Sequence, residues 1–214
     1  MKIFITATGT DVGKTYVSAL IAKNLAQNGV NVGYFKPLAS GNLKTQNGVL
    51  IADDAKFVRD FAGLKSDIFT MFGYAFKEPY SPHLAAKIEN FTPNKDEIVK
   101  KITELEKHYE ILIIEGSGGV VCPFGEFMQI DLIKELNCDV LLVSSSNLGA
   151  INSAVLSTSY LKNEGIKTKG IILNNFNENL LIHSDNAVMI ERLCGVKILA
   201  KVANESKEIL GLNL

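Results

Sequence analysis

The residues whose types and spacing could do chemistry begin with a glycine-containing loop near the amino terminus. Residues 7–15 read Ala-Thr-Gly-Thr-Asp-Val-Gly-Lys-Thr, between a predicted strand at 2–6 and a predicted helix at 14–28. In such a turn, backbone N–H groups point at phosphate oxygens, Lys14 reaches the outer phosphates and Thr15 can ligate magnesium. The loop therefore predicts a site for a nucleoside triphosphate and Mg²⁺. The strict motif has glycine where this chain has Thr8, so an ordinary turn with a surface lysine is the alternative.

An acidic residue ends a second apolar run. Residues 110–115 predict a buried strand that ends at Glu115, and three of the next four residues are glycine. Ligands of doubly wound sheets bind beyond the carboxyl ends of the strands, so Glu115 would face the same cleft as Lys14 and could hold magnesium. The glycines permit close approach of a ligand. A solvated acid at a strand end is the alternative.

A second lysine and a pair of acids extend this pattern. Lys36 and Ser40 follow a predicted strand at 31–35, and a second cation beside a triphosphate could neutralise charge on a transferring phosphoryl group. Asp53 and Asp54 open a predicted helix, where capping would explain one carboxylate and leave the other for a metal. Which of the two would touch the metal stays open, and a merely solvated lysine is the alternative at Lys36.

Two further segments carry weaker signals. Residues 79–86 contain two prolines and a histidine, and a rigid turn before a helix explains them. Residues 146–152 start a helix after a strand and offer free N–H groups to an anion, although capping by Ser146 or Asn147 is the simpler explanation.

The elements that must position these residues alternate along the chain. Strands are predicted at 2–6, 31–35, 110–115, 139–144 and 169–173, with helices at 14–28, 53–62, 94–108 and 149–164. Pro37 is expected to stop the second strand, and a loop is expected around 78–83. The alternation predicts an α/β fold, a doubly wound and mostly parallel sheet with helices on both faces. A single domain over residues 1–214 is the simplest organisation.

Composition excludes several classes of partner. The formal net charge is −1, which gives no basic field to attract nucleic acid or an anionic membrane. No apolar run approaches the roughly 20 residues that span a bilayer. The three cysteines are isolated, with no metal-ligand spacing, and are expected to be reduced thiols. We expect a cytoplasmic protein.

Taken together, the order of these pieces closely resembles the dethiobiotin synthetase family, which has the P-loop NTPase fold. The likeness runs nearly end to end, and its residues are Gly13 to Thr15, Lys36 to Gly41, Asp54 and Ala55, Ser81 to His83, Glu115 to Gly119, Gly149 to Asn152 and Asn174. The resemblance implies ATP- and Mg²⁺-dependent closure of a cyclic urea from 7,8-diaminononanoate and CO₂ or bicarbonate, through a carbamate and a carbamic-phosphoric anhydride. It also implies a homodimer whose substrate site is shared across the interface.

The resemblance implies a role for each matching residue. The catalytic residues would be Lys14, Lys36 and Thr10. The nucleotide would contact Asp11, Val12, Gly13, Lys14, Thr15, Tyr16 and, at its base, Asn174. The metal ligands would be Thr15, Asp54 and Glu115. The substrate would contact Thr10, Lys36, Ser40 and Gly118, and its carboxylate tail would contact Leu148, Gly149, Ile151 and Asn152. The side chain of Asp11 is expected to face an ammonium, because an acid facing phosphate would repel it.

Alternatives and departures from the family pattern remain. A partitioning or targeting ATPase of the same fold usually carries a second lysine early in the loop, where this chain has Gly9. An amide-forming cobyrinate-type synthetase would add a glutamine-hydrolysing domain, for which we expect no room in 214 residues. The loop has Ala7 and Gly9 where the family commonly has Gly and Asp, and residues 199–204 lack an expected proline-containing segment. The preference for a nucleotide base is therefore open.

Overall fold

Seven parallel strands form the sheet that positions the site. The computed structural model describes residues 1–212. The strands are β1 (Lys2–Ala7), β2 (Val32–Ala39), β3 (Thr45–Gln46), β4 (Val49–Leu50), β5 (Phe72–Ala75), β6 (Ile111–Glu115), β7 (Asp139–Ser145), β8 (Thr168–Asn174) and β9 (Ile198–Lys201). Seven of them lie side by side in the order β5-β2-β6-β1-β7-β8-β9, whereas β3 and β4 form a separate antiparallel hairpin.

Helices cover both faces of the sheet. They are α1 (Lys14–Gln27), α2 (Asp53–Ala62), α3 (Pro82–Ile88), α4 (Lys95–Glu106), α5 (Gln129–Leu136), α6 (Ala150–Asn163) and α7 (Leu181–Cys194), with a short 3-10 helix at Ile68–Thr70. Helices α1 and α2 pack on the face that carries Ile3 and Ile5, and α4 to α7 pack on the face that carries Phe4. Because successive residues of a strand point to opposite faces, both faces of β1 are apolar. The predicted doubly wound α/β fold is confirmed.

The direction of winding changes beside β1. This strand lies between β6 and β7, and the chain crosses from β1 to β2 on one side, whereas β7, β8 and β9 extend the sheet on the other. Ligands of open α/β sheets bind at the carboxyl ends of the strands next to such a switch point. The loops that follow β1, β2 and β6 meet there and form a crevice.

The prediction that the second strand stops at Pro37 is wrong, because β2 continues to Ala39. The N–H of Lys36 donates to the carbonyl of Met71 on the β5 side at 2.9 Å. Backbone groups alternate between the two neighbours along a parallel strand, so the nitrogen of Pro37 faces β6, where the pairing with β2 already ends at Phe35. The proline therefore removes no hydrogen bond of the sheet.

The remaining differences lie in short elements. The sequence patterns do not predict β3, β4, β5, β9, α3, α5 or α7, and the loop expected around 78–83 contains the start of α3. The other predicted elements agree with the structure and differ at their ends by a few residues. Within residues 1–212 no helix is long and apolar enough to cross a membrane.

Candidate active site

The amino-terminal loop leads into a helix whose first N–H groups have no side-chain cap within residues 1–212. Gly13 precedes α1 with φ +91°, a conformation that favours glycine. The ammonium of Lys14 is buried and donates to the carbonyl of Gly9 at 3.2 Å. Burial, followed by the nearby Lys36 ammonium, lowers the pKa of Lys14 to about 8. The first turn of α1 therefore combines unpaired donors with a lysine that is poorly stabilised as a cation.

A cluster of two carboxylates, one lysine and one hydroxyl lies beside this helix. Lys36 Nζ is 2.7 Å from Glu115 Oε1 and 2.8 Å from Asp54 Oδ2. The hydroxyl of Thr15 is 2.8 Å from Glu115 Oε1 and 3.1 Å from Asp54 Oδ1, and its single proton serves one of them at a time. Side chains from α1, β2, α2 and β6 thus converge on one point.

The charges of this cluster stabilise one another. Burial alone would lower the pKa of Lys36, but the Glu115 and Asp54 carboxylates raise it above its ordinary value. Burial would likewise raise the pKa of Asp54, and the Lys36 ammonium together with the Thr15 hydroxyl lowers it instead. Lys36 is therefore a permanent cation in the neutral pH range.

The cleft around the cluster has a volume of about 280 Å³. Its lining residues are Thr10, Asp11, Gly13, Lys14, Thr15, Lys36, Ser40, Asp54, Glu115, Ser117 and Gly118. All of them except Ser117 are residues to which the sequence analysis assigns a role.

Asn174 lies behind the loop. Its amide nitrogen donates to the carbonyl of Val12 at 3.0 Å, and its amide oxygen is buried with no hydrogen-bond partner among residues 1–212. A Cβ added to Gly13 would lie 2.0 Å from the Asn174 amide nitrogen. The loop and the end of β8 are thus in close contact.

Tyr16 does not line the cleft. Its hydroxyl donates to the carbonyl of Ser206, and its ring packs against Phe57 and Phe61 of α2 with centroid distances of 6.3 and 5.7 Å. The contacts of Tyr16 join α1 to α2 and to the carboxyl-terminal segment.

The predicted contacts for a substrate tail also lie outside this cleft. Gly149 precedes α6 with φ +89° and no side-chain cap, and Leu148 is 90% exposed. Asn152 lines a second cleft, which shares the loops of the first because Thr8 and Gly119 also line it. The structure does not bring Leu148, Gly149 or Asn152 to the cluster within one copy of the chain.

Four polar residues of the region have no role in the sequence analysis. The hydroxyl of Ser117 donates to Leu38 O at 2.7 Å, and its N–H donates to Gln129 Oε1 at 2.8 Å. The Tyr34 hydroxyl donates to Glu115 Oε2 at 2.8 Å. Asn42 donates to two carbonyls and accepts the N–H of Asp53. Sequence signals could have indicated two of these residues: Ser117 lies within the glycine-rich segment after the strand, and Tyr34 lies two residues before Lys36. No sequence pattern indicates Asn42 or Gln129.

The fold and the loop define a P-loop NTPase. A family model described as an AAA domain matches residues 1–208. The MinD cell division protein of Aquifex aeolicus superposes with a TM-score of 0.59 at 16% identity, over 96% of this chain and 83% of that one. A ParA family ATPase from Chlorobium tepidum gives a TM-score of 0.59 at 16% identity, over 95% of this chain and 85% of that one. At these identities the likeness shows the fold alone.

Curated relatives are more specific. The ATP-dependent dethiobiotin synthetase BioD of Clostridium perfringens is 44% identical over 204 residues, which cover 94% of this chain and 89% of that protein. The protein of the same name from Brachyspira hyodysenteriae is 43% identical over 205 residues, which cover 94% and 90%. The chain belongs to the family of ATP-dependent dethiobiotin synthetases, as the resemblance implies, and these relatives do not favour a partitioning ATPase.

Proposed function

We propose that the chain closes the cyclic urea of dethiobiotin from 7,8-diaminononanoate and CO₂, with ATP and Mg²⁺. The observation that carries the proposal is the position of the Lys36 ammonium, 2.7 and 2.8 Å from two carboxylates and beside the uncapped first turn of α1. A phosphoryl transfer needs cations on both sides of the transferring group, and the cleft supplies Lys14 and Lys36.

The oxygen donors fit magnesium. The side chains of Thr15, Asp54 and Glu115 would hold Mg²⁺, which would neutralise charge on the β- and γ-phosphates. Residues 1–212 contain no group of three or more His, Cys, Asp or Glu that could hold a metal ion. Mg²⁺ is usually bound through one or two carboxylates and substrate phosphates, and Asp54, Glu115 and the nucleotide would supply these.

Asp54 is the better metal ligand of the adjacent pair of acids. The N–H of Asp53 donates to Asn42, and one oxygen of the Asp53 carboxylate accepts the N–H of Leu43 at 3.3 Å. Asp53 thus forms hydrogen bonds with the segment that precedes α2, whereas the carboxylate of Asp54 contacts Thr15 and Lys36.

The residues of the cleft would act in three steps. A neutral amine of the substrate attacks CO₂, loses its proton to solvent and becomes a carbamate, whose charge Lys36 stabilises. Because its pKa is raised, Lys36 does not act as the base for this proton. A carbamate oxygen then attacks the γ-phosphorus, which releases ADP while Lys14 and the loop N–H groups hold the phosphates. The second amine would attack the carbonyl carbon, lose its proton to solvent and expel phosphate as the ring closes.

Thr10, Ser40 and Gly118 would orient the amine and carbamate end of the substrate, because they line the same cleft as Lys36. Asp11 lines the cleft as well and would face an ammonium. The buried amide oxygen of Asn174 would accept a hydrogen bond from the nucleotide base.

We further propose that residues 1–214 act as one domain in a homodimer. The exposed Leu148, and the apolar Leu156 and Val188 on α6 and α7, are 90%, 62% and 65% exposed, which supports burial against a second copy. The uncapped start of α6, with Gly149, Ile151 and Asn152, would then receive the substrate carboxylate from the cleft of the neighbouring subunit.

The reaction is tested with purified protein, diaminononanoate, bicarbonate, Mg²⁺ and each nucleotide in turn, with phosphate release and product mass as readouts. We expect phosphate release that requires the diamine and equals dethiobiotin formed. Phosphate release that ignores the diamine would overturn the proposal and favour a switch ATPase.

Variants test the cluster. Lys14→Ala, Lys36→Met and Glu115→Gln are each expected to abolish turnover, and circular dichroism checks that they fold. The matched control is Lys101→Met, because Lys101 is a half-buried lysine that donates to the carbonyls of Phe69 and Phe72 outside the cleft. Wild-type turnover in a cluster variant would remove that residue from the site.

A mixing experiment tests the shared site. Lys36→Met and Asn152→Asp subunits are each expected to be inactive, the second because its new carboxylate repels the substrate tail. A mixed dimer would contain one site with both native residues, so mixing should restore part of the activity. No recovery in a mixture that is shown to exchange subunits would refute a site shared across the interface.

A further inference from the structure

Tyr34 and Lys36 approach Glu115 from the same strand. They are two residues apart in β2, so their side chains lie on one face of the sheet. Tyr34 pairs in register with Ile113 of β6, two residues before Glu115, which therefore lies on the same face. The phenol hydroxyl donates to Glu115 Oε2 at 2.8 Å, and Lys36 Nζ reaches Glu115 Oε1 at 2.7 Å.

The two oxygens of Glu115 thus have separate partners. Oε1 faces Lys36 and Thr15, on the side of the cleft, whereas Oε2 faces Tyr34 in the interior. Glu115 is fully buried and Tyr34 is 2% exposed, so bulk solvent does not reach the bond between them. A carboxylate oxygen can only accept, so the Tyr34 hydroxyl is the donor of this bond.

The hydroxyl is the part of Tyr34 that packing does not explain. The ring belongs to an apolar cluster with Val58 and Ile113, and phenylalanine would fill the same space. What the hydroxyl adds is a charge-assisted bond that fixes the rotation of the carboxylate, so that one oxygen always points into the cleft.

We propose that Tyr34 is a positioning residue that holds Glu115 in the orientation needed to bind the metal. This inference rests on the proposed role of Glu115 as a magnesium ligand. Partners behind a metal ligand typically contribute about 10–100-fold in metal affinity or activity. Loss of the hydroxyl would free the carboxylate to rotate and would leave Oε2 buried without a donor.

The test is Tyr34→Phe, measured by titration calorimetry of Mg²⁺ into protein saturated with ADP, together with kcat and KM for ATP at varied Mg²⁺. The matched control is Tyr74→Phe, because the Tyr74 hydroxyl also donates to a glutamate, Glu97 at 2.6 Å, outside the cleft. We expect Tyr34→Phe to weaken Mg²⁺ binding about 10-fold or more and to raise the Mg²⁺ needed for half-maximal turnover. Tyr74→Phe should change neither.

Glu115→Gln separates the inference from the proposal on which it rests. If Glu115→Gln leaves Mg²⁺ affinity unchanged, Glu115 is not a metal ligand, and the positioning role proposed for Tyr34 is refuted as well. If Glu115→Gln weakens binding but Tyr34→Phe stays within twofold of the wild type, the positioning role alone is refuted. In the Glu115→Gln background, Tyr34→Phe should have little further effect on Mg²⁺ binding, since the group that it positions has already changed.

Discussion

Gly13 is the position where one methyl group should disturb the nucleotide loop most directly. Gly13→Ala would place a side chain at φ +91°, which costs about 1–2 kcal/mol for a residue other than glycine. The new Cβ would lie 2.0 Å from the amide nitrogen of Asn174, a buried side chain that must then turn away and lose its bond to Val12 O. That loss adds about 1 kcal/mol, so we expect a total destabilisation of about 2–3 kcal/mol.

Gly29→Ala is the matched control, since Gly29 has φ +79° and no atom within 4 Å of the added Cβ. In Gly29→Ala, the free energy of unfolding should fall only by the cost of the positive φ, about 1–2 kcal/mol. Urea unfolding followed by circular dichroism gives both values, and calorimetry should show weaker ATP binding for Gly13→Ala alone. In an Asn174→Ala background the cost of Gly13→Ala should fall by about 1 kcal/mol, because the clash is gone. Equal stability and equal ATP affinity in the two glycine variants would refute the contact between the loop and Asn174.

Three further outcomes follow from the same contacts. The pKa of Lys14 is about 8 in the free protein, and bound phosphate would raise it, so ATP affinity should fall above pH 8 by at most about tenfold per pH unit. ATP binding should also take up a proton in that pH range. Calorimetry in buffers of different ionisation enthalpy measures both effects, and pH-independent binding up to pH 9.5 would contradict the prediction. Gly116→Ala would bring its Cβ to 2.2 Å from Gln129 Oε1, so its midpoint of urea unfolding should fall well below that of Gly9→Ala, where φ is not positive and the Cβ meets no atom within 4 Å. Asn42→Ala would leave the N–H of Asp53 without its acceptor and would remove the side-chain donor from two carbonyls that each keep a backbone donor. It should cost about 1–3 kcal/mol of stability by urea unfolding, and an unchanged midpoint would show that water replaces the amide.

The convergence of Lys14, Lys36 and Glu115 could be predicted from the sequence, since it needs only the rule that parallel strands end at one edge of the sheet. Each of these residues follows or ends an apolar run, and the runs alternate with helices. Neither the pairing order of the strands nor a three-dimensional contact enters that inference. The wrong effect predicted for Pro37 does not change this convergence, because Lys36 lies at the carboxyl end of its strand in either case.

Contacts that depend on register and on unpredicted elements could not be obtained in this way. The bond from Tyr34 to Glu115 requires that Tyr34 lies beside Ile113, a register that no local pattern specifies. Gln129 acts from the first residue of α5, which the sequence patterns do not predict. The side chain of Asn42 joins backbone groups from three separate segments, and only the folded chain brings these together.

The two lysines of the cleft show why neighbours matter more than residue type. Both are buried, which on its own lowers the pKa of a lysine. Lys36 contacts two carboxylates and remains charged at neutral pH, whereas the ammonium of Lys14 has only a carbonyl as its partner within residues 1–212 and lies near the charge of Lys36, so its own charge is weakly held. Incoming phosphate would give Lys14 the anion that it lacks. Because one ammonium faces two carboxylates, the cluster keeps one net negative charge before the nucleotide arrives. The loop gains its full positive charge only with the ligand, which ties the strength of phosphate binding to the protonation of a single side chain.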